Sequence, residues 1–348
     1  GITQYTRRLI GALAQLDAAD DTRFTALLDR RDRDTHWLPE RVGVLRTVTP
    51  AHHRLEGGAF AAELALQTAR HRIDLVHFPD FIAAAGRFAK VITIHDLFFL
   101  RDARVLDAAG AGYYGRIYES VARAQRIIAV SHAVAADVAR LLPAATGKVA
   151  VVHEAADAPA RAHQAPAHKA APYALFVGTF EPRKNLATLL RALLQAPADV
   201  RLVVVGEAGW VDSAPGRLAA ELGVSERVTF AGRVDDAELD ALYRGARMLL
   251  LPSLDEGFGL TLLEAMARGI PVLCANVAAL REVGGDAARF HAPTDAVALA
   301  AQLTDLWHDG ALRADLARRG IARAASFSWE RAARETLMVY RQALGLPT

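Results

Sequence analysis

Apolar runs of four to seven residues alternate with amphipathic stretches along the 348-residue chain. In the first half the runs are "FTALL", "VGVLRTV", "DLVHF", "KVITI", "RIIAV" and "KVAVV"; in the second they are "YALFV", "VRLVVV", "RVTF", "RMLLL" and "PVLCA". Each later run is followed by Gly, Pro, Ser or Asn and then by a helical pattern. Strands alternating with helices in this way predict parallel sheets built from βαβ units, with ligand-bearing loops at the carboxyl ends of the strands. The opening "GITQYTRRLIGALAQL" has helical periodicity and no strand before it, so it reads as the second half of a strand–loop–helix unit whose first strand is missing. The closing "SFSWERAARETLMVYRQAL" predicts an amphipathic helix with Trp329, Leu337 and Tyr340 on its apolar positions. Between the two sets of runs, "EAADAPARAHQAPAHKAAPY" is rich in Ala and Pro and offers little to bury, as a linker would. The pattern predicts two doubly wound, Rossmann-like α/β domains over 1–157 and 172–327, a linker over 158–171 and a final helix over 328–348.

Composition narrows the function classes. Hydrophobic residues at 52% and charged residues at 23% describe a globular chain able to build real cores. No apolar run reaches the roughly 18 residues of a membrane-crossing helix, and no signal peptide is visible, although a lost N-terminus could have carried one. Cys274 is the single cysteine, which removes intrachain disulfides and thiolate metal clusters. A net charge of +2 is too balanced for a general nucleic-acid binder. Lysine occurs only at 90, 148, 169 and 184, so its placement is informative. There is no glycine-rich loop ending in Lys-Ser or Lys-Thr and no helix-spaced histidine pair with a glutamate for zinc. "GEAGW" is only part of a dinucleotide fingerprint, and "DRD" at 32–34 lies in an alternating charge run that reads as a solvated loop.

Three stretches could carry chemistry. In "DEGFGLTLLEAMARGIPV" (255–272), Gly257 and Gly259 weaken a helix start that needs no glycine for itself, and glycines suit a backbone that must approach a ligand. Acids near that start, Asp255 and Glu256, also have an ordinary reading as dipole partners, and Glu264 as an exposed pair with Arg268. On this helix Thr261, Glu264 and Arg268 form one stripe and Leu260, Leu263 and Ala267 another. In "VGTFEPRKNLATLLRALL" (177–194), a strand ends at Gly178 and Asn185 reads as the N-cap of the next helix. That places Arg183 and Lys184 just ahead of a helix's positive end, which is unfavourable unless an anion joins them. In "VITIHDLFFL", His95 and Asp96 follow a strand directly, which suits either a structural or a catalytic histidine.

"EGFGLTLLEAMARGIPV" resembles the Glu-x7-Glu signature of retaining GT-B glycosyltransferases, in particular glycosyltransferase family 4; "VGTFEPRKN" resembles that family's basic donor loop and "HDL" its first-domain histidine. The order of "VVVGEAGW", "VTFAGRV", "ARMLLLPS" and "FSWE" agrees, so the resemblance spans essentially the whole chain. It implies a GT-B fold with two Rossmann-like domains facing a central cleft and the last helix packing back on the first domain. It also implies a retaining, metal-independent hexosyltransferase, similar to mannosyltransferases of cell-surface polysaccharide synthesis. The co-substrate would be a nucleoside-diphosphate sugar such as GDP-mannose, with no other cofactor and no metal, and the acceptor a glycan or lipid-linked glycan.

Carried over by position, the catalytic group would be His95, Glu256, Arg183 and Lys184. The donor would be bound by Gly1, Gly178, Arg183, Lys184, Arg233, Val234, Gly257, Phe258, Gly259, Leu260, Thr261 and Glu264. Arg183 and Lys184 would hold the diphosphate, Glu256 the sugar hydroxyls, Glu264 the ribose, and the loop at Arg233 and Val234 would lie by the base. Two departures stand out: the glycine loop after the family's first strand is reduced to Gly1 and Ile2, and "HEAAD" (153–157) replaces the frequent Pro-Asn-Gly. The expected location is the cytoplasm, with "YTRRLIGALAQL" as a stretch that could touch the inner face of the membrane, although packing on its own sheet explains it as well. A catalytically silent binding subunit of the same fold is the alternative, and the pattern carries no sign of oligomeric state.

Overall fold

The computed structural model describes residues 2–16, 22–49, 57–101, 108–157, 171–208 and 214–347. They gather into two compact units, Gly1–Glu154 with Ser328–Thr348, and Ala155–Phe327. All eleven apolar runs form strands.

Unit 1 begins with α1 (Ile2–Gln15), β1 (Thr25–Asp29), β2 (Gly43–Thr47), α2 (Gly57–His71), β3 (Leu75–Phe78) and β4 (Ala89–Ile94). It continues through α3 (Phe98–Arg101), α4 (Ala108–Tyr114), α5 (Ile117–Arg123), β5 (Arg126–Ala129), α6 (His132–Leu141) and β6 (Val149–Val151). β3-β4-β5-β6 form one parallel sheet, and β1-β2 form a separate parallel pair. Between the β1 and β3 edges lies a cavity of about 1740 Å³, also lined by Leu9 and Leu13 of α1 and by Leu64 of α2. Gly1, the expected remnant of a phosphate loop, lies outside the described residues, as do 158–170 of the predicted linker.

Unit 2 runs β7 (Tyr173–Val177), α7 (Leu186–Leu193), β8 (Leu202–Val205), α8 (Pro215–Glu221), β9 (Val228–Gly232), α9 (Asp236–Gly245) and β10 (Ala246–Leu251). Then come α10 (Leu260–Ala267), β11 (Val272–Ala275), α11 (Ala278–Gly284), β12 (Arg289–His291), α12 (Ala296–His308) and α13 (Gly310–Ala324). Its sheet is parallel in the order β12-β11-β10-β7-β8-β9. The chain builds outward from β7 in one direction and from β10 in the other, so the loops after these two strands flank a topological switch point, where open α/β sheets bind ligands. β12 has no counterpart in the apolar pattern, because Arg-Phe-His holds a single apolar residue, whereas the equally short edge strand β6 reads Val-Ala-Val. Leu189, Leu190 and Leu193 of α7 pack with Leu202, Val204, Leu250, Leu303 and Trp307 in the core that holds this sheet rigid. Full burial of each such leucine stabilises by about 1.5–3 kcal/mol.

The last helix, α14 (Trp329–Ala343), belongs to unit 1. Tyr5, Leu9 and Leu13, spaced four apart on α1, pack against Ala333 with Trp329, Leu337 and Tyr340 of α14. The apolar face of "YTRRLIGALAQL" is thereby covered from within the unit, which is the packing reading rather than the membrane one. No helix among the described residues is long and apolar enough to cross a membrane.

Candidate functional site

The two loops at the switch point of unit 2 interlock. After β7 the chain passes Gly178 and turns through a short 3-10 helix, Pro182–Lys184, into α7. Asn185 stands at the start of α7, but in the left-handed region (φ 54°) and without capping it. Its Nδ2 donates instead to the carbonyls of Pro252 (2.9 Å) and Pro293 (2.8 Å), and its Oδ1 accepts from Thr188 Oγ1 (2.7 Å). The expected N-cap is a staple between loops, because a buried carboxamide needs all its groups paired and the strand-end carbonyls are the acceptors in reach. A backbone bond from Leu254 N to Arg183 O (2.8 Å) ties the loops a second time.

Arg183 and Lys184 meet their anion in Glu256. Lys184 Nζ lies 2.7 Å from Glu256 Oε1 and Arg183 Nη1 lies 3.2 Å from Oε2. Ser253 Oγ donates to Oε1 (2.7 Å), Arg183 also donates to the Asp255 carbonyl (3.1 Å), and Glu181 stands 3.7 Å from its Nη2. Burial alone would raise the Glu256 carboxyl; Lys184, Arg183 and Ser253 together outweigh it and hold the pKa at about 2. The carboxylate is therefore ionised at every physiological pH. Gly259 starts α10 with φ 104°, and a Cβ there would come within 2.6 Å of Leu280 Cδ2, so the position requires glycine. In the first turn of α10 the Leu262 and Leu263 N–H groups donate to the Gly259 carbonyl (3.0 and 3.2 Å), and the amides ahead of them, Leu260 and Thr261, lie at the helix's positive end directly after this ionised loop.

Farther along α10, Glu264 accepts a hydrogen bond from the Tyr243 hydroxyl of α9 (2.9 Å). Arg268 does not form the simple side-chain pair expected with Glu264. Its Nε donates to Asp240 Oδ1 (2.9 Å) and its Nη1 to the Glu264 carbonyl (2.9 Å). The buried face of α10 is Leu262, Leu263, Ala265 and Met266, while Leu260 and Ala267 are only half-buried, so the predicted apolar stripe is rotated.

In unit 1, His95 ends β4 with Nδ1 3.0 Å from Glu154 Oε1 and Nε2 2.9 Å from the Pro79 carbonyl. Both partners are acceptors, an arrangement that favours the doubly protonated ring. Burial lowers its pKa, but Glu154 and the Pro79 carbonyl overcome that and the net shift is upward. The neighbouring Asp96 plays a different part from the one adjacency suggested: its Oδ1 accepts from Phe98 N (3.2 Å) at the start of α3. Behind His95 runs a buried polar chain. Tyr5 Oη is 3.1 Å from Thr93 Oγ1, which is 2.8 Å from His77 Nε2, and His77 Nδ1 is 2.7 Å from Tyr340 Oη. Burial, with His95 adding like charge, pushes the His77 pKa down to about 3, so this second histidine is neutral.

The comparisons with known proteins fit this geometry. The pattern described as glycosyltransferase family 4 matches residues 1–158, and that of the glycosyl transferases group 1 matches 160–323. A D-inositol 3-phosphate glycosyltransferase from Nocardia farcinica is 33% identical over 323 residues, covering 82% of this chain and 70% of that protein. The chain belongs to the group 1 glycosyl transferases, family 4. An O-antigen chain mannosyltransferase B from Escherichia coli is 41% identical over 174 residues, which is 49% of this chain and 45% of that protein. The chain thus spans less than half of that relative's length. The structure of a sucrose-phosphate synthase from Thermosynechococcus elongatus matches with a TM-score of 0.76 at 25% identity, covering 99% of this chain and 94% of that one. The fold is GT-B, with two Rossmann-like units.

For this glycosyl transferase the predicted residues fall into separate groups. Arg183, Lys184 and Glu256 come together, with Gly178 beside Lys184: a Cβ on Gly178 would meet Lys184 Cδ at 3.7 Å, an ordinary contact. Gly257, Gly259, Leu260 and Thr261 lead from Glu256 into α10, whereas the Phe258 side chain is buried edge-on against Phe327 (5.8 Å between centroids) and leaves only its backbone for a ligand. Glu264 stands in the α9–α10 contact. Arg233 is 81% exposed and 3.4 Å from Glu207, and Val234 is half-buried, so this loop presents itself to solvent. His95 lies in unit 1. Sequence reasoning missed Ser253, Tyr243, Glu154 and Gly206. A Cβ on Gly206 would lie 1.9 Å from the Gly178 carbonyl oxygen at φ 143°, so the demanding glycine was the one in "VVVGEAGW". Glu154 comes from "HEAAD", the stretch that departs from the family pattern and was assigned to the start of the linker.

Proposed function

We propose that this glycosyl transferase moves a hexose, with retention of anomeric configuration and without a metal, from a nucleoside-diphosphate sugar to a glycan or lipid-linked acceptor. The observation that supports it most is the Arg183–Lys184–Glu256 cluster at the switch point, directly before the N-terminus of α10. An arriving diphosphate offers the two cations and the α10 amides a doubly charged partner, and it keeps them occupied as negative charge grows on the leaving group. Glu256, displaced from its full set of bonds, then accepts from sugar hydroxyls near the reacting carbon. Glu264 accepts from the ribose and the Arg233–Val234 loop lies by the base.

In the reaction the bond between the anomeric carbon and the phosphate oxygen breaks, its electron pair staying on the diphosphate. The acceptor hydroxyl oxygen bonds to the same face of that carbon and passes its proton to the departing phosphate oxygen. His95 would serve as a hydrogen-bond donor rather than as a base, its Nε2–H exchanging the Pro79 carbonyl for the ligand. GDP-mannose is the preferred donor in this reading, supported by the mannosyltransferase relative. Thermal shift with GDP-mannose, UDP-glucose and a dTDP-sugar, followed by a transfer assay with the acceptor pool of a polysaccharide-producing cell, tests it. GDP-mannose should stabilise most, and an α-linked product should form undiminished in EDTA. Turnover abolished by chelation, or a β-linked product, contradicts it.

A further inference from the structure

Glu264 does not stand alone on its helix. Tyr243, in the last turn of α9, is 1% exposed, and its hydroxyl donates to Glu264 Oε2 at 2.9 Å. The guanidinium of Arg268 lies 4.9 Å from the Tyr243 ring centroid, while Asp240, one turn earlier on α9, holds that guanidinium through Nε at 2.9 Å. Arg268 also donates to the Glu264 carbonyl at 2.9 Å. Asp240 and Tyr243 are three apart on α9, and Glu264 and Arg268 four apart on α10, so each helix presents two side chains on one face to the other. Burial and the Glu264 charge push the Tyr243 pKa well up, which keeps the phenol protonated and donating. One oxygen of the carboxylate is thus fixed by a rigid ring that is itself clamped from behind. A glutamate side chain has three rotatable bonds, and ordering it only when a ligand arrives would weaken that ligand's binding.

We infer that Tyr243 is a positioning residue for Glu264, orienting its carboxylate to accept from a vicinal diol, and so sets the selectivity of this site for ribonucleotides over deoxyribonucleotides. The inference rests on the reading of Glu264 as the ribose-binding group. A carboxylate held in one orientation matches two neighbouring hydroxyls together, and a ligand lacking one of them leaves a half-buried acceptor short of a partner.

Calorimetric titration of GDP and UDP against their 2′-deoxy counterparts tests it, using the full chain and the variants Tyr243→Phe and Glu264→Ala. The parent protein should prefer the ribonucleotides. In Tyr243→Phe that preference should fall by roughly fivefold to tenfold, about the net value of one ordinary hydrogen bond, with affinity for the deoxy forms unchanged. If Glu264→Ala retains the preference, the ribose reading itself fails. If Glu264→Ala loses it and a folded Tyr243→Phe keeps it in full, the role of Tyr243 alone is overturned. Should Tyr243→Phe not fold, 3,5-difluorotyrosine at the same position, a stronger donor of nearly the same shape, is to raise the ribonucleotide preference at pH 6; no rise overturns the inference.

Discussion

At the carboxyl end of β4 a histidine meets a buried glutamate, and at the loop after β10 another buried glutamate meets a lysine and an arginine. Both sites lie at the edge of a parallel sheet where ligands bind, and both hold a carboxylate that would be costly to bury alone. The cations differ. Glu154 and the Pro79 carbonyl favour the second proton of His95, so its charge depends on pH. Arg183 and Lys184 together hold Glu256 at about 2. A lysine and an arginine together suit a ligand that is always an anion, whereas a histidine suits a contact whose strength varies with pH.

The comparison breaks most visibly at Glu256. Glu256→Ala leaves two largely buried cations without their carboxylate and should cost about 3 kcal/mol of stability in unit 2, with loss of measurable sugar transfer. Added pyrophosphate should restore more of the melting temperature in this variant than in the parent, since the anion replaces the missing counter-ion; scanning calorimetry with and without pyrophosphate checks both. Next in size, Gly206→Ala places a methyl against the Gly178 carbonyl at a positive φ and should destabilise by about 2 kcal/mol, while Gly178→Ala should be nearly neutral. Equilibrium unfolding in urea separates the two.

The pH response sharpens the contrast at smaller amplitude. The His95 pKa is raised in the folded state, so its stabilisation is complete below about 6.5 and is lost as pH rises through the folded value. The Glu256 pKa is lowered, so its stabilisation is complete above the ordinary 4.5 and is lost as pH falls toward about 2. From pH 6 to 8 the His95 contribution to unit 1 should therefore fall while the Glu256 contribution stays flat; the lowered His77 pKa works in the opposite sense, its cost being relieved as pH rises through 6.5. Hydrogen exchange of β4 against β10 amides follows each unit separately, and the pH dependence of the difference between the parent and His95→Gln isolates the His95 part.

The apolar runs made eleven of the twelve strands among the described residues legible, and their parallel pairing followed from the helical patterns between them. Lys184 was legible because lysine is rare in this chain and cations ahead of a helix demand an anion. That the anion would be Glu256, some seventy residues away, is decided by the adjacency of β7 and β10, which periodicity does not encode. Two of the other lysines confirm that rarity alone is not function: Lys90 Nζ donates to the carbonyls of Gly86 and Phe88, and Lys148 Nζ to those of Val121 and Ala122. Asn185, a fair N-cap by residue type, is drawn off by two strand-end carbonyls, and nothing in the pattern separates Tyr243 from an apolar helix position, because only its hydroxyl is polar. Tertiary partners, not local propensity, decided these cases.

The account stands most directly on where a diphosphate binds. Titrating GDP by calorimetry into the parent protein and Lys184→Ala, with Lys90→Ala as a control away from the cluster, measures it. Affinity should fall by roughly tenfold to a hundredfold in Lys184→Ala, as expected for losing a charge-assisted bond, and should hold in the control. Equal affinity in the parent and a folded Lys184→Ala would contradict it.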